Sequence, residues 1–346
     1  GYQVDVAMNG RMADGKEAIE NLILKKKNIK YYQVDFNTKQ PINSENWKAY
    51  KQLREVLKQK YDIIHCHTPI VGMIVRTAAK KYRRKGTKVI YTTHGFTFTD
   101  RSTKKEWFVY HSVENVMSKL SDVIITINHE DYNNAKKMHC KNVFLIPGVG
   151  LKTERFEKIK IDRDEYRKKY HIPEDAFVVS YVGRHNEIKG YADLKKMGEE
   201  LLNNQNIYFL IAGKEEPMKG LDNSHWIEVG WTNDPHSLIS ASDVFVLPNH
   251  ETYFDLVLLE VLSLEVPVVL SNTGGNKFFK KFQNSGLSFY DTVADAIKSI
   301  NHLKKMNKLD IEKLGKCNRK IFENNFTVEH FTQNYIHVIR QIAEDE

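Results

Sequence analysis

Two segments carry residue types whose order suits chemistry on a phosphate ester. The first is Val182-Gly183-Arg184, followed by Lys189-Gly190 directly before a helical pattern that begins near Tyr191. A strand end, a glycine that lets the backbone approach, two cations and a helix N-terminus together make a diphosphate site, because free amides and aligned peptide dipoles attract anions. Arg184 offers a planar fork for phosphate oxygens, whereas Lys189 is a compact point charge able to neutralise a departing diphosphate. The plainer reading is a surface arginine and lysine around an ordinary turn.

The second segment is Thr252-Tyr253-Phe254-Asp255-Leu256-Val257-Leu258-Leu259-Glu260, followed by Pro267-Val268-Val269-Leu270 and the turn Thr273-Gly274-Gly275-Asn276. Glu260 sits among apolar residues, so an ionised carboxylate there needs a partner. Ribose hydroxyls are one such partner, since α/β sites commonly hold a nucleoside on a carboxylate; a local cap or salt bridge is another. His94 follows an apolar run and reads plainly as a loop histidine bonded to backbone. His65 and His67 alternate along a strand and share a face, which would suit a metal. With no third ligand nearby, packing or hydrogen bonding is expected of them instead, and no metal is assigned.

The elements that must position these residues follow a regular rhythm. Runs at 62–65, 88–91, 122–125 and 142–146 have strand length and are nearly all apolar, as parallel strands covered on both faces must be. Helical spacing near 69–84 and 102–120 separates them, giving the strand-helix-strand order that builds a parallel sheet. After Pro147-Gly148-Val149-Gly150 a charged stretch runs from 152 to 170, and a second series opens at 177–182, continuing at 207–211, 227–229, 244–247 and 267–270. The expectation is an α/β chain of two Rossmann-like lobes, 1–150 and 173–326, facing each other across a cleft and hinged near 150–172. Residues 327–343 place Phe331, Tyr335, Val338, Ile339 and Ile342 at three- and four-residue spacings, an amphipathic helix for which the first lobe is one docking surface. Since Gly1-Tyr2-Gln3-Val4-Asp5-Val6-Ala7 already reads as turn and strand, a preceding strand-helix unit is expected to be absent.

Composition narrows the class. A length of 346 residues suits two domains, and 41% hydrophobic with 28% charged residues, free of low-complexity tracts, describes a globular chain. Cys66, Cys140 and Cys317 are odd in number and far apart, which suggests neither a disulfide framework nor a zinc cluster. No run reaches the ~18 apolar residues of a membrane span, and the first residues lack a signal pattern, so a cytoplasmic protein is expected. The net charge of +8 suits phosphates, anionic lipid or nucleic acid. Nucleic acid has only the charge in its favour, without a groove-reading motif or aromatic platform. The basic clusters at 25–27, 80–85 and 104–105 read as solvated helix faces, with contact to a membrane surface as the alternative.

On these residues the chain resembles the retaining glycosyltransferases of family 4, which have the GT-B fold, and particularly bacterial exopolysaccharide and capsule glycosyltransferases. The resemblance spans nearly the whole chain. It rests on Asp62-Ile63-Ile64-His65-Cys66-His67-Thr68-Pro69, Thr93-His94-Gly95-Phe96, Val182-Gly183-Arg184 with Lys189-Gly190, and Leu259-Glu260 leading into Pro267-Val268-Val269 and Gly274-Gly275. It implies transfer of a sugar from a nucleotide diphosphate sugar, a UDP-sugar being expected, to an acceptor hydroxyl with retained configuration and no further cofactor. By the resemblance Arg184 and Lys189 bind the donor diphosphate, with Gly183 beside them, and Glu260, the second glutamate of the family's E-x7-E motif, binds the ribose. His94 resembles the family histidine that contacts the sugar near the reacting carbon. The donor loop is Thr252, Tyr253, Phe254, Asp255 and Leu256. It departs from the family in two places: Thr252 occupies the first glutamate position, and Asp255 stands where glycine is frequent. A lipid-linked acceptor on the inner face of the membrane would account for the basic surface. The rival readings are a catalytically silent nucleotide-sugar-binding partner of another transferase, and a nucleotide-sugar epimerase.

Overall fold

The computed structural model describes residues 3–9, 29–155, 161–203, 206–214, 216–283 and 285–344. The basic cluster at 25–27 and the opening Gly1-Tyr2 lie outside them. The chain divides into two compact units, Gly1–Leu145 and Ile146–Glu346.

In the first unit β1 (Asp5–Met8) and β2 (Lys30–Gln33) pair in parallel, and β3 (Ile63–His67), β4 (Lys88–Thr92), β5 (Val123–Thr126) and β6 (Asn142–Leu145) form a parallel sheet in that order. Val89, Tyr91, Val123, Ile124 and Ile125 are wholly buried, the burial on both faces that a continuous apolar run requires. The helix Pro69–Arg83 opens with proline at its first position, where the missing N–H costs nothing. It packs its buried Arg76 against Glu114 of the helix Lys104–Ser118 at 2.9 Å, and the guanidinium also lies over the Tyr91 ring. Of the basic cluster at 80–85, Arg83 is engaged by Asp122.

The second unit is a six-stranded parallel sheet in the order β12-β11-β10-β7-β8-β9, built from β7 (Phe177–Val182), β8 (Ile207–Ala212), β9 (Trp226–Gly230), β10 (Val244–Leu247), β11 (Val268–Ser271) and β12 (Leu287–Tyr290). One apolar cluster, with Val178, Leu210, Phe245 and Leu258, covers one face, and another, with Val179, Phe209, Val246 and Leu194, covers the other. The C-terminal helix Val328–Glu344 enters from Thr327, which bridges Leu151, so its first turn is tied into this unit. Strands β2 and β12 lie beyond the expected set. Each is short and half-buried, and Lys30-Tyr31-Tyr32-Gln33 has no apolar aliphatic residue to mark it.

Candidate functional site

The strand order dictates where a ligand can enter the second unit. From β7 the chain moves outward through β8 and β9, then returns to the other side of β7 as β10. Neighbouring strands whose connections leave in opposite directions open a crevice at their carboxyl ends. The residues that follow β7 and β10 are the two segments singled out by chemistry.

After β7, Gly183 N donates to Ala212 O at 3.0 Å, keeping the backbone flat against β8, and Tyr181 Oη donates to Arg184 O at 2.8 Å. Arg184 itself projects outward with 59% of its side chain exposed, and its nearest acid, Glu216, is 4.0 Å away. The turn then tightens: Lys189 N donates to Asn186 Oδ1, and Gly190 takes φ +65° at the cap of the helix Tyr191–Leu201. A Cβ on Gly190 would fall 1.8 Å from Pro248 O, so only glycine lets this turn press against the end of β10.

After β10, Asp255 precedes the helix Leu256–Ser263 without capping it through its side chain. Its carboxylate instead accepts from Lys189 Nζ at 3.0 Å and from the amide of buried Asn249. The cation expected to meet a diphosphate is thus already paired, while Arg184 is held only loosely. Thr252 O accepts from Gly275 N at 2.8 Å, and a Cβ on Gly275 would lie 2.0 Å from Tyr253 O, so the second glycine of the Gly274-Gly275 turn admits the donor loop. Phe254 turns its ring among Phe278, Phe279 and Phe326, leaving its backbone as what the loop can show a ligand. Leu256, in the first helical turn, is exposed. Glu260 is largely buried on the same helix, with His236 Nε2 at 3.8 Å from its Oε2, so the local partner and the ribose remain compatible roles.

In the first unit, register brings the histidines together. His67 is opposite Thr92, two residues before His94, and His67 Nδ1 and His94 Nε2 share a hydrogen bond of 2.9 Å. One of the two nitrogens carries the proton, so each ring fixes the tautomer of the other. The His65 ring lies with its centroid 4.2 Å from that of His67, tilted by 37°, and bonds Thr92 Oγ1 at 2.8 Å. Burial, with the adjacent histidines, pushes His65 down to about 3, and burial with His94 pushes His67 down to about 4, although His67 keeps an exposed edge. Burial also lowers His94. No group of three or more His, Cys, Asp or Glu among the described residues is arranged to hold a metal. His94 has φ +53°, a strained value for a residue with a Cβ. Its loop is pinned by Asp131, whose Oδ2 accepts from Phe96 N at 3.2 Å and Asn128 Nδ2 at 3.0 Å. Burial pushes that carboxyl up to about 7.

Sequence reasoning passed over Asn249, Asp131, His236 and the pairing of His67 with His94. Asn249 had a local sign, a polar residue just beyond the apolar strand β10; Asp131, in the first turn of the helix His129–Ala135, and the His67 pairing, which required the β3–β4 register, had none.

Two family profiles match the chain, one described as Glycosyltransferase Family 4 over residues 1–148 and one as Glycosyl transferases group 1 over residues 162–320. EpsD of Bacillus subtilis strain 168, classed as a glycosyltransferase, is 30% identical over 355 residues, covering 97% of this chain and 89% of that protein. A UDP-Gal:alpha-D-GlcNAc-diphosphoundecaprenol alpha-1,3-galactosyltransferase of Escherichia coli is 28% identical, covering 81% of this chain and 74% of its own. Among solved structures, HepE of Anabaena in complex with UDP-glucose matches with a TM-score of 0.73 at 16% identity, over 99% of this chain and 90% of that one, a likeness of fold. With parallel sheets in two units and a relative this similar over nearly its full length, the chain belongs to the family 4 glycosyltransferases of GT-B fold, among the enzymes of bacterial polysaccharide biosynthesis.

Proposed function

We propose that the chain transfers a sugar from a UDP-sugar to a hydroxyl of a lipid-linked saccharide at the cytoplasmic membrane face, retaining the anomeric configuration. The observation that carries the donor half is the meeting of Lys189, at the start of the glycine-capped helix Tyr191–Leu201, with Asp255 at the β7–β10 switch point, with Arg184 exposed on the same β7 turn. Two cations and a helix N-terminus stabilise the diphosphate as it leaves, which lowers the barrier because that charge grows in the transition state. Glu260, one helix further, takes the ribose hydroxyls. His94 of the first unit is assigned to the sugar near the reacting carbon by the resemblance. The E. coli relative's named donor is UDP-Gal and its named acceptor a diphosphoundecaprenol-linked sugar, and HepE holds UDP-glucose; both support the choice of substrate classes.

Calorimetric titration with UDP, GDP and their sugars, followed by donor hydrolysis, tests the reading. UDP binding that weakens at least tenfold in both Lys189→Ala and Glu260→Ala is the expected result. Unchanged affinity in both would remove the site. The pairing of Lys189 with Asp255 and the presence of Thr252 favour one second reading, a silent nucleotide-sugar-binding partner; binding with no hydrolysis and no transfer would select it.

A further inference from the structure

The chain leaves β3 and β4 of the first unit through backbone conformations that side chains disfavour. Thr68, directly after β3, has φ +66° and ψ 151°, a region that a β-branched residue rarely enters, and His94, two residues after β4, has φ +53°. The ladder runs one residue past each strand before either turn begins, with Thr68 N donating to Thr92 O and Thr93 N to Ile125 O, both at 3.1 Å. Thr68 stands at the cap position of the helix Pro69–Arg83, yet its side chain bonds none of the helix amides. Strain of this kind persists where the surrounding fold enforces it, and it gathers at sites that meet ligands. The carboxyl ends of parallel strands are also where open α/β sheets take them.

What the two turns hold together is His67 and His94. Their 2.9 Å bond joins Nδ1 of the first to Nε2 of the second, which leaves His67 Nε2 and His94 Nδ1 as the outer nitrogens. No other hydrogen bond engages either ring among the described residues. His67 is exposed and His94 half-buried. His65, on the same face of β3, has a different part: its Nε2 is taken by Thr92 Oγ1, and its ring backs that of His67. Burial leaves all three imidazoles neutral at pH 7. In a neutral pair that shares one proton, the two outer nitrogens must differ in character. If His67 Nδ1 carries the shared proton, His67 Nε2 accepts and His94 Nδ1 donates; if His94 Nε2 carries it, His67 Nε2 donates and His94 Nδ1 accepts. Either way the pair shows one donor and one acceptor outward, and both rings have the same tautomer.

We propose that His67 and His94 act as one hydroxyl-binding unit, with His67 Nε2 and His94 Nδ1 each bonding a hydroxyl of a saccharide. A phosphate or carboxylate only accepts, and would set a lone pair against the accepting nitrogen. An ammonium only donates, and would oppose the donating one. Hydroxyls do both, so two of them fit the pair in either tautomeric state. The inference adds His67 to the sugar contacts and rests on the proposed transfer of a sugar for its choice of a saccharide. Donor sugar and acceptor sugar offer the same chemistry, and the test separates them.

The first measurement needs no ligand. In nitrogen-15 spectra of the full chain labelled at histidine, His67 and His94 should show the same tautomer at pH 7, both Nδ1–H or both Nε2–H; opposite tautomers would overturn the proposal. Titration then uses UDP, UDP-glucose, UDP-galactose and UDP-N-acetylglucosamine, and the methyl glycosides of the same three sugars. A sugar nucleotide that shifts the two ring signals where UDP does not gives the pair to the donor sugar, whereas a glycoside that shifts them gives it to the acceptor. No shift with any of these sugars overturns the proposal. Failure of UDP itself to bind removes the donor site and leaves the glycosides to decide. His67→Asn places an amide where Nδ1 stood, keeping the bond to His94 but losing the outer nitrogen, and His67→Gln does the reverse. Calorimetric affinity for the sugar that shifts the pair should fall about tenfold in His67→Asn, as for one neutral hydrogen bond, with UDP affinity unchanged, and should recover in part in His67→Gln. Wild-type affinity in His67→Asn would reduce His67 to a prop for His94 and overturn the proposal. Circular dichroism of each variant separates a lost contact from a lost fold.

Discussion

Replacing Asp255 by asparagine should tighten UDP binding, even though it removes a hydrogen-bonded carboxylate from the proposed diphosphate site. Asp255 Oδ1 lies 3.0 Å from Lys189 Nζ. At that separation and an effective dielectric near 20, the gross attraction is roughly 5 kcal/mol. Burial takes most of it back: the Asp255 side chain is 11% exposed and that of Lys189 25%. Each ion has lost several kcal/mol of hydration, which leaves a net pairing on the order of 1–2 kcal/mol. An incoming diphosphate must displace the pair or lie beside a like charge, and either costs about that amount. Asp255→Asn is therefore expected to lower the UDP Kd about tenfold, the equivalent of ~1.4 kcal/mol. The introduced amide has nearly the same shape. Its N–H group can be accommodated, because Asn249 Oδ1 has no hydrogen-bond partner among the described residues and can accept after rotation of its own amide. Calorimetry on the wild type, Asp255→Asn, Lys189→Ala and the double variant closes a cycle. A smaller gain from Asp255→Asn in the Lys189→Ala background would assign the effect to release of the cation rather than to simple repulsion. Equal or weaker UDP binding by Asp255→Asn would refute the reasoning and show that the carboxylate helps hold the ligand.

Three further outcomes follow from the geometry. Glu114→Leu leaves Arg76 buried without its ion partner and should cost about 3–5 kcal/mol in urea unfolding of the first unit, whereas adding Arg76→Met should recover most of it. Gly190→Ala forces a Cβ into the left-handed region and against Pro248 O, so UDP affinity should fall at least tenfold, read by the same calorimetry, with strain of roughly 1–2 kcal/mol at the turn. The pH dependence of stability has two opposed parts. Asp131 protonates near 3.8 when unfolded and at about 7 when folded. The folded chain thus holds the extra proton between those values, and this contribution is complete below the lower one and lost as pH rises through about 7. His65 and His67 protonate near 6.5 unfolded but at about 3 and about 4 folded, so their contribution is complete above 6.5 and lost as pH falls. Asp131→Asn, whose carbonyl oxygen can accept from the same Phe96 and Asn128 donors, should remove the first trend and steepen the acid loss of the urea midpoint; an unchanged profile would mean that Asp131 is ionised in the fold.

The parts of this molecule that were legible in the sequence are those governed by local rules. Short apolar runs such as Val244-Phe245-Val246-Leu247, rich in β-branched residues, suit strands covered on both faces, and Gly183-Arg184 with Lys189-Gly190 before a helix mark a candidate anion site. Contacts made across the sheet are another matter. Lys189 meets Asp255 over 66 residues of chain, and His67 meets His94 over 27, because parallel register decides both. Phe254 shows the same limit from the opposite side. Its loop was identifiable from its neighbours, but whether the ring faces a ligand or the core depends on Phe278, Phe279 and Phe326, which arrive from other elements.

The donor loop departs from its family at two positions, and the two departures are connected. By the resemblance, Thr252 stands at the first glutamate position with Glu251 beside it, and Asp255 stands three residues later, where glycine is frequent. The additional carboxylate at Asp255 lies next to Lys189. In the proposed site a carboxylate at position 252 would act on the sugar, whereas Asp255 is paired with Lys189, the cation proposed to meet the diphosphate. Binding of the donor then becomes an exchange of anions on Lys189 rather than the filling of a vacant charge, which predicts a weaker grip on the diphosphate released as product than an unpaired lysine would give. If affinity for free UDP in Asp255→Asn rose while turnover fell, that exchange would be the step that empties the site between transfers.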